Sequence, residues 1–79
     1  MSKHELTLPE FGPTGDEADV LSWEVNVGDR IELGTPLITV ETDKATMEIE
    51  SPVAGTLIEQ RAEVGARLES GDVYAVVEL

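Results

Sequence analysis

Lys44 is the residue of this 79-residue sequence whose surroundings set it apart. It stands in Glu41-Thr42-Asp43-Lys44-Ala45-Thr46-Met47-Glu48, and the only other lysine is Lys3, expected in a frayed N-terminal stretch. A primary amine held at a loop tip can be acylated by another enzyme, so the chemistry on offer is covalent attachment. Turnover by the chain itself would need a nucleophile beside a base, a metal cluster or a phosphate-binding loop, and none is legible. His4 is the single histidine, in a polar segment with no evident partner for a triad or a metal site. There is no cysteine, so disulfides and thiolate metal sites are excluded, and any sulfur redox chemistry has to arrive on a cofactor. No catalytic and no metal-binding residue is assigned.

An amine can reach a partner only if other elements hold it out. Residues 20–41 and 57–78 align without a gap at an offset of 37. Val27-Gly28-Asp29-Arg30-Ile31-Glu32-Leu33-Gly34 matches Val64-Gly65-Ala66-Arg67-Leu68-Glu69-Ser70-Gly71, and Val40-Glu41 matches Val77-Glu78. Two copies are too few for a solenoid. Two halves related by an approximate two-fold axis explain the pattern better, and Lys44 falls between them.

Each half reads as short strands broken by turns. Leu21, Trp23, Val25 and Val27 alternate with polar residues, as do Met47 and Ile49, and Leu6 and Leu8. Leu37-Ile38-Thr39-Val40 and Val73-Tyr74-Ala75-Val76-Val77 are compact β-rich runs. Gly28-Asp29, Gly34-Thr35-Pro36, Pro52-Val53-Ala54-Gly55 and Gly65-Ala66 punctuate them. No segment carries a helical apolar stripe. The expected fold is all-β, two small antiparallel sheets packed as a flattened barrel or sandwich over a single domain, residues 1–79. Leu8, Val20, Trp23, Val25, Leu37, Val40, Ile49, Leu57 and Val76 should fill its core, with Trp23 an anchor and Met47 packing. Strand patterning holds to Glu41 and resumes at Thr46, which leaves a short hairpin centred on Asp43-Lys44. Asp suits a turn because its carboxylate accepts nearby amide hydrogens. Lysine is an unusual residue for the apex.

Size and charge narrow the function. A chain this short buries only about 60–65% of its unfolded surface, which favours a carrier or binding role over a deep cleft. Seventeen acidic residues against five basic ones give a formal charge of −12. Such a balance repels nucleic acid phosphates. It solubilises the surface and can steer basic partners over a distance that salt shortens. No stretch has membrane-spanning length, and Ser2-Lys3-His4 is unlike a signal peptide, so a cytoplasmic protein is expected, or one of the mitochondrial matrix if eukaryotic.

The string around Lys44 resembles the attachment turn of lipoyl domains from 2-oxo acid dehydrogenase complexes, where Asp-Lys-Ala is the common core. The resemblance continues through Leu6-Thr7-Leu8-Pro9, Val27-Gly28-Asp29, Ser51-Pro52-Val53-Ala54-Gly55 and Val64-Gly65, and so covers essentially the whole chain. It implies lipoic acid amide-linked to Lys44, on a turn kept compact by Asp43 and Ala45. It also implies a swinging arm that serves a thiamine-dependent 2-oxo acid decarboxylase, an acyltransferase core and dihydrolipoyl dehydrogenase, after modification by a lipoate-attaching enzyme. Glu41, Thr42 and Thr46 would touch partners. The string looks more like the pyruvate type than the 2-oxoglutarate type. The parent would be a dihydrolipoamide acyltransferase or a lipoyl-bearing dihydrolipoyl dehydrogenase, and the isolated domain is expected to be monomeric.

The segment Gly12-Pro13-Thr14-Gly15-Asp16-Glu17-Ala18-Asp19 joins the first two expected strands. In lipoyl domains the matching loop helps the decarboxylase recognise its carrier, which would make Asp16, Glu17 and Asp19 acidic recognition contacts. A tolerated surface insertion explains the loop equally well. Three rivals are weaker. Biotinyl carrier domains share the fold but typically flank their lysine with methionine, where Asp43 and Ala45 stand here. The glycine-cleavage carrier adds helical segments. Hairpin domains of efflux-pump adaptors need no lysine at the turn.

Overall fold

The computed structural model describes residues 2–9, 17–42 and 45–79. Among them are eight strands, β1 (Lys3–Thr7), β2 (Glu17–Trp23), β3 (Arg30–Ile31), β4 (Pro36–Glu41), β5 (Thr46–Glu50), β6 (Gly55–Gln60), β7 (Arg67–Glu69) and β8 (Val73–Glu78), and no helix. They form two four-stranded sheets, ordered β1-β8-β6-β3 and β5-β4-β2-β7, with every pairing antiparallel. The expected all-β double-sheet fold is the one observed.

The sequence repeat becomes a symmetry of hydrogen bonds. Shifting by 37 carries β2 onto β6, β3 onto β7 and β4 onto β8, and the two sheet orders then superpose with β5 on β1. Gly28 N donates to Leu57 O (2.7 Å) as Gly65 N does to Val20 O (2.8 Å), and Glu24 N donates to Leu37 O (2.8 Å) as Arg61 N does to Tyr74 O (2.8 Å). The halves are not separate units. β3 pairs with β6 and β7 pairs with β2, so each half lends its short strand to the other's sheet.

Four tight turns repeat in the same way. In Asn26–Asp29, Glu32–Thr35, Glu63–Ala66 and Glu69–Asp72 the fourth N–H returns to the first carbonyl at 2.9–3.0 Å. Each has glycine third, with φ of 99°, 88°, 92° and 92°, which is the signature of a type II turn. The second residue of such a turn projects outward. That explains why Val27, Leu33 and Val64 are exposed, Leu33 to 73%.

The core lies between the sheets and contains Leu8, Val20, Leu37, Val40, Ile49 and Leu57 as expected, with Val76 also buried. Trp23, Val25 and Met47 pack against it half-buried. Two expectations are corrected. The strand read over residues 21–27 starts at Glu17 and ends at Trp23, and Leu21 is exposed. A bulge between Val20 and Ser22 adds a residue there, which reverses the inward and outward alternation. Lys3, expected to fray, lies in β1 opposite Glu78.

Candidate functional site

The site is built by the β4–β5 hairpin. Its last cross-strand pair is Glu41 opposite Thr46. Beyond that pair Thr42 N donates to Ala45 O at 2.8 Å, and the Thr42 hydroxyl also donates to Ala45 O at 3.1 Å. Ala45 N donates to Thr42 Oγ1 at 3.2 Å. Thr42 and Ala45 thus close on one another, and the chain has only residues 43 and 44 between them. Asp43 and Lys44 themselves lie outside the described residues, as does Asp16.

The register brings the other named residues beside this turn. Asp19 of β2 is opposite both Glu41 of β4 and Arg67 of β7, so Arg67, Asp19, Glu41 and Thr46 form one row across the sheet. Arg67 Nε donates to Asp19 Oδ1 at 3.0 Å. Glu17 lies two pairs further on, opposite Glu69. Glu17 and Asp19, read from sequence as part of a loop, are therefore strand residues. They pair because the alternation of Ala18 and Val20, both buried, continues through them. Asp19 already has a cation and is not a free acid awaiting a partner.

Next along this face, the Glu24 carboxylate accepts from Ser22 Oγ and Thr39 Oγ1, each at 2.8 Å. These two donors, Ser22 first, hold the Glu24 carboxyl below the usual carboxylate range. Arg67, Glu24 and Glu48 on this face escaped the sequence reading. The repeat had aligned Arg67 with Arg30, but only sheet register reveals what lies beside it. The two sheets differ in charge. Strands of the lysine-hairpin sheet carry Glu17, Asp19, Glu41, Glu48, Glu50 and Glu69 against Arg67 alone. Those of the other sheet carry Glu5, Glu59 and Glu78 against Lys3 and Arg30.

A family model described as "Biotin-requiring enzyme", the biotin/lipoyl model, matches residues 4–77. The chain belongs to the biotin/lipoyl family. Two relatives place it more finely. It is 40% identical over 72 residues to the dihydrolipoyllysine-residue acetyltransferase component of the pyruvate dehydrogenase complex of Corynebacterium glutamicum, covering 91% of this chain and 11% of that one. It is 38% identical over 74 residues to the dihydrolipoyllysine-residue succinyltransferase component of the 2-oxoglutarate dehydrogenase complex of Bartonella vinsonii, covering 94% and 18%. The chain thus spans less than a fifth of the length of either relative.

Two solved structures share the fold. The lipoyl domain of the 2-oxoglutarate dehydrogenase complex from Azotobacter vinelandii superposes with a TM-score of 0.75 at 21% identity, covering 95% of both chains. Urea carboxylase of Kluyveromyces lactis gives 0.83 at 22% identity, covering 99% of this chain and 6% of that one. At such identities the backbone is shared across different proteins, so the hairpin residues must carry the functional argument.

Proposed function

We propose that the chain is a lipoyl carrier domain in which Lys44 is acylated by lipoic acid, serving a 2-oxo acid dehydrogenase complex, most simply one acting on pyruvate. The observation that supports the reading is the closure of Thr42 on Ala45 at the end of the β4–β5 hairpin, with only residues 43 and 44 of the sequence between them. The relatives named for dihydrolipoyllysine support the choice of lipoate over biotin. A group tethered to an amine needs no cavity, only a lysine that an attaching enzyme can reach, and a hairpin tip suits it. When bound, the dithiolane supplies disulfide–dithiol chemistry and a thiol for acyl carriage, which a chain without cysteine cannot supply.

What the chain itself contributes is a nucleophile and its placement. The Lys44 amine attacks an activated lipoyl carboxyl, the amide bond forms as the activating group leaves, and the proton passes to solvent. Leu79 N donates to Ser2 O at 2.8 Å at the place that the two-fold relates to the Thr42–Ala45 bond. A tether attached past either residue would leave from the place related by the two-fold to the Thr42–Ala45 turn, so that one place is held while the other samples partners at high local concentration. The partners in this reading are a thiamine-dependent decarboxylase, the acyltransferase core, dihydrolipoyl dehydrogenase and a lipoate-attaching enzyme, all in the cytoplasm or matrix.

Intact mass spectrometry after expression with lipoate and biotin both available tests the proposal. A single lipoyl increment localised to Lys44 is expected, and its complete loss in Lys44→Arg, because a guanidinium is too weak a nucleophile for amide formation. A biotinyl increment, or lipoylation persisting in Lys44→Arg, overturns it.

A further inference from the structure

The four glycine turns close through backbone alone or with help from their fourth residue, as where Glu32 N donates to Thr35 Oγ1 (3.0 Å) and Glu69 N to Asp72 Oδ2 (2.8 Å). The lysine turn is made differently. Thr42-Asp43-Lys44-Ala45 contains no glycine, whereas two-residue hairpin loops ordinarily rely on glycine or asparagine for positive φ. Here the side chain of the first residue spans the loop. Its hydroxyl accepts the Ala45 N–H and donates to the Ala45 carbonyl, beside the backbone bond from Thr42 N. At the two-fold-related place Leu79 stands where Thr42 stands, and it carries no hydroxyl.

We propose that Thr42 is a positioning residue for the acylation of Lys44: its hydroxyl, bonded to both backbone groups of Ala45, holds shut the loop from which the amine is presented. The sequence reading had given Thr42 to partner contact. The geometry assigns its oxygen to the loop, and this inference rests on Lys44 being the acceptor. Without the hydroxyl, one backbone bond still joins the ends, and the loop opens for part of the time. An attaching enzyme that binds the closed loop then sees its substrate diluted by the open fraction, which raises apparent KM and leaves kcat unchanged.

The test uses the 79-residue chain with a lipoate-attaching ligase, ATP and free lipoate, following lipoylation by intact mass. Thr42→Val removes the hydroxyl at nearly constant shape, and Thr42→Ser keeps it. Loss of a hydrogen bond of ordinary strength shifts the open–closed equilibrium about fivefold, and KM for Thr42→Val rises by the factor by which the closed fraction falls, with kcat retained. Amide exchange of Ala45 in the unmodified domain follows the opening equilibrium itself and should accelerate about fivefold, and Thr42→Ser should restore both quantities. Unchanged kinetics in Thr42→Val overturn the proposal, as does a Thr42→Ser variant as slow as Thr42→Val. A raised KM with unaltered Ala45 exchange also overturns it, since Thr42 would then be touching the ligase. If the wild-type chain takes no lipoyl group, the carrier reading falls and this proposal with it. If wild type is modified and Thr42→Val matches it, only the proposal falls.

Discussion

The Thr42–Ala45 turn and the Leu79–Ser2 junction occupy equivalent places in a nearly two-fold molecule. Among the described residues, the first joins Thr42 to Ala45 through a backbone bond and through the threonine hydroxyl, and the second joins Leu79 to Ser2 through a backbone bond. The same contrast appears in the faces beneath them, since the sheet under the lysine turn is strongly acidic and its mate is nearly balanced. The repeat gives a scaffold in which each half lends a short strand to the other, and the copies differ at the turn whose sequence contains Lys44. The places to probe are therefore the positions at which the two halves disagree.

Gly55 and Ala18 form one such pair, related by the offset of 37. A Cβ on Gly55 would lie 2.7 Å from Val77 Cγ1 and closer still to the Glu78 carbonyl oxygen, whereas the lysine half accommodates the methyl of Ala18 in its core. Gly55→Ala is expected to cost about 2–3 kcal/mol through overpacking against backbone that cannot give. The reverse change, Ala18→Gly, should cost about 1 kcal/mol through backbone entropy and lost contact. Denaturant unfolding checks both. Equal costs would mean that the two packing sites are more alike than their sequences imply.

Tyr74 and Leu37 are another such pair. Tyr74 is 1% exposed, its ring lies 6.3 Å from that of Trp23, and its hydroxyl has no hydrogen-bond partner among the described residues. Burial pushes its pKa up to about 12. The folded state therefore keeps the phenol proton where the unfolded chain, titrating near 10, has lost it, so the stability present below pH 10 is lost as pH rises toward 12. The loss over that span should be on the order of 2 kcal/mol, and Tyr74→Phe should remove it while changing neutral-pH stability little. Stability measured from pH 8 to 12 in both proteins decides this. A wild-type alkaline limb identical to that of Tyr74→Phe would show the hydroxyl to be solvated.

The smallest effect concerns the acidic face. The triple change Asp16→Asn, Glu17→Gln and Asp19→Asn should slow reductive acylation by a thiamine-dependent decarboxylase roughly threefold at low salt, with the difference vanishing as salt rises. The change would also release Arg67 from Asp19, so Arg67→Gln serves as the control. Equal rates at low salt would remove these acids from recognition.

Much of this was legible in the residues. The repeat announced the two-fold relation, the glycines of its matched turns marked the breaks between strands, and the runs at Leu37 and Val73 became the buried strands β4 and β8. The hairpin around Lys44 followed from where strand patterning stopped and resumed. Leu21 departs from the expected alternation because alternation is counted along one strand, whereas a bulge is decided by the neighbour: one extra residue turns Leu21 out to solvent, while Val20 before it and Trp23 beyond it both face the core. Glu17 and Asp19 were assigned to a loop for the same reason, since their partners Glu69 and Arg67 lie about fifty residues away.

Local chemistry is thus what the chain specified by itself: which residues turn, which alternate, and that one lysine stands between two copies. The exchange of β3 and β7 between halves, the row that places Arg67, Asp19, Glu41 and Thr46 together, and the use of the Thr42 hydroxyl to close the lysine loop were decided only in three dimensions. Those features depend on which backbone lies alongside which. Distant segments settle that jointly when they bury a shared core, and no window of sequence contains both sides of the choice.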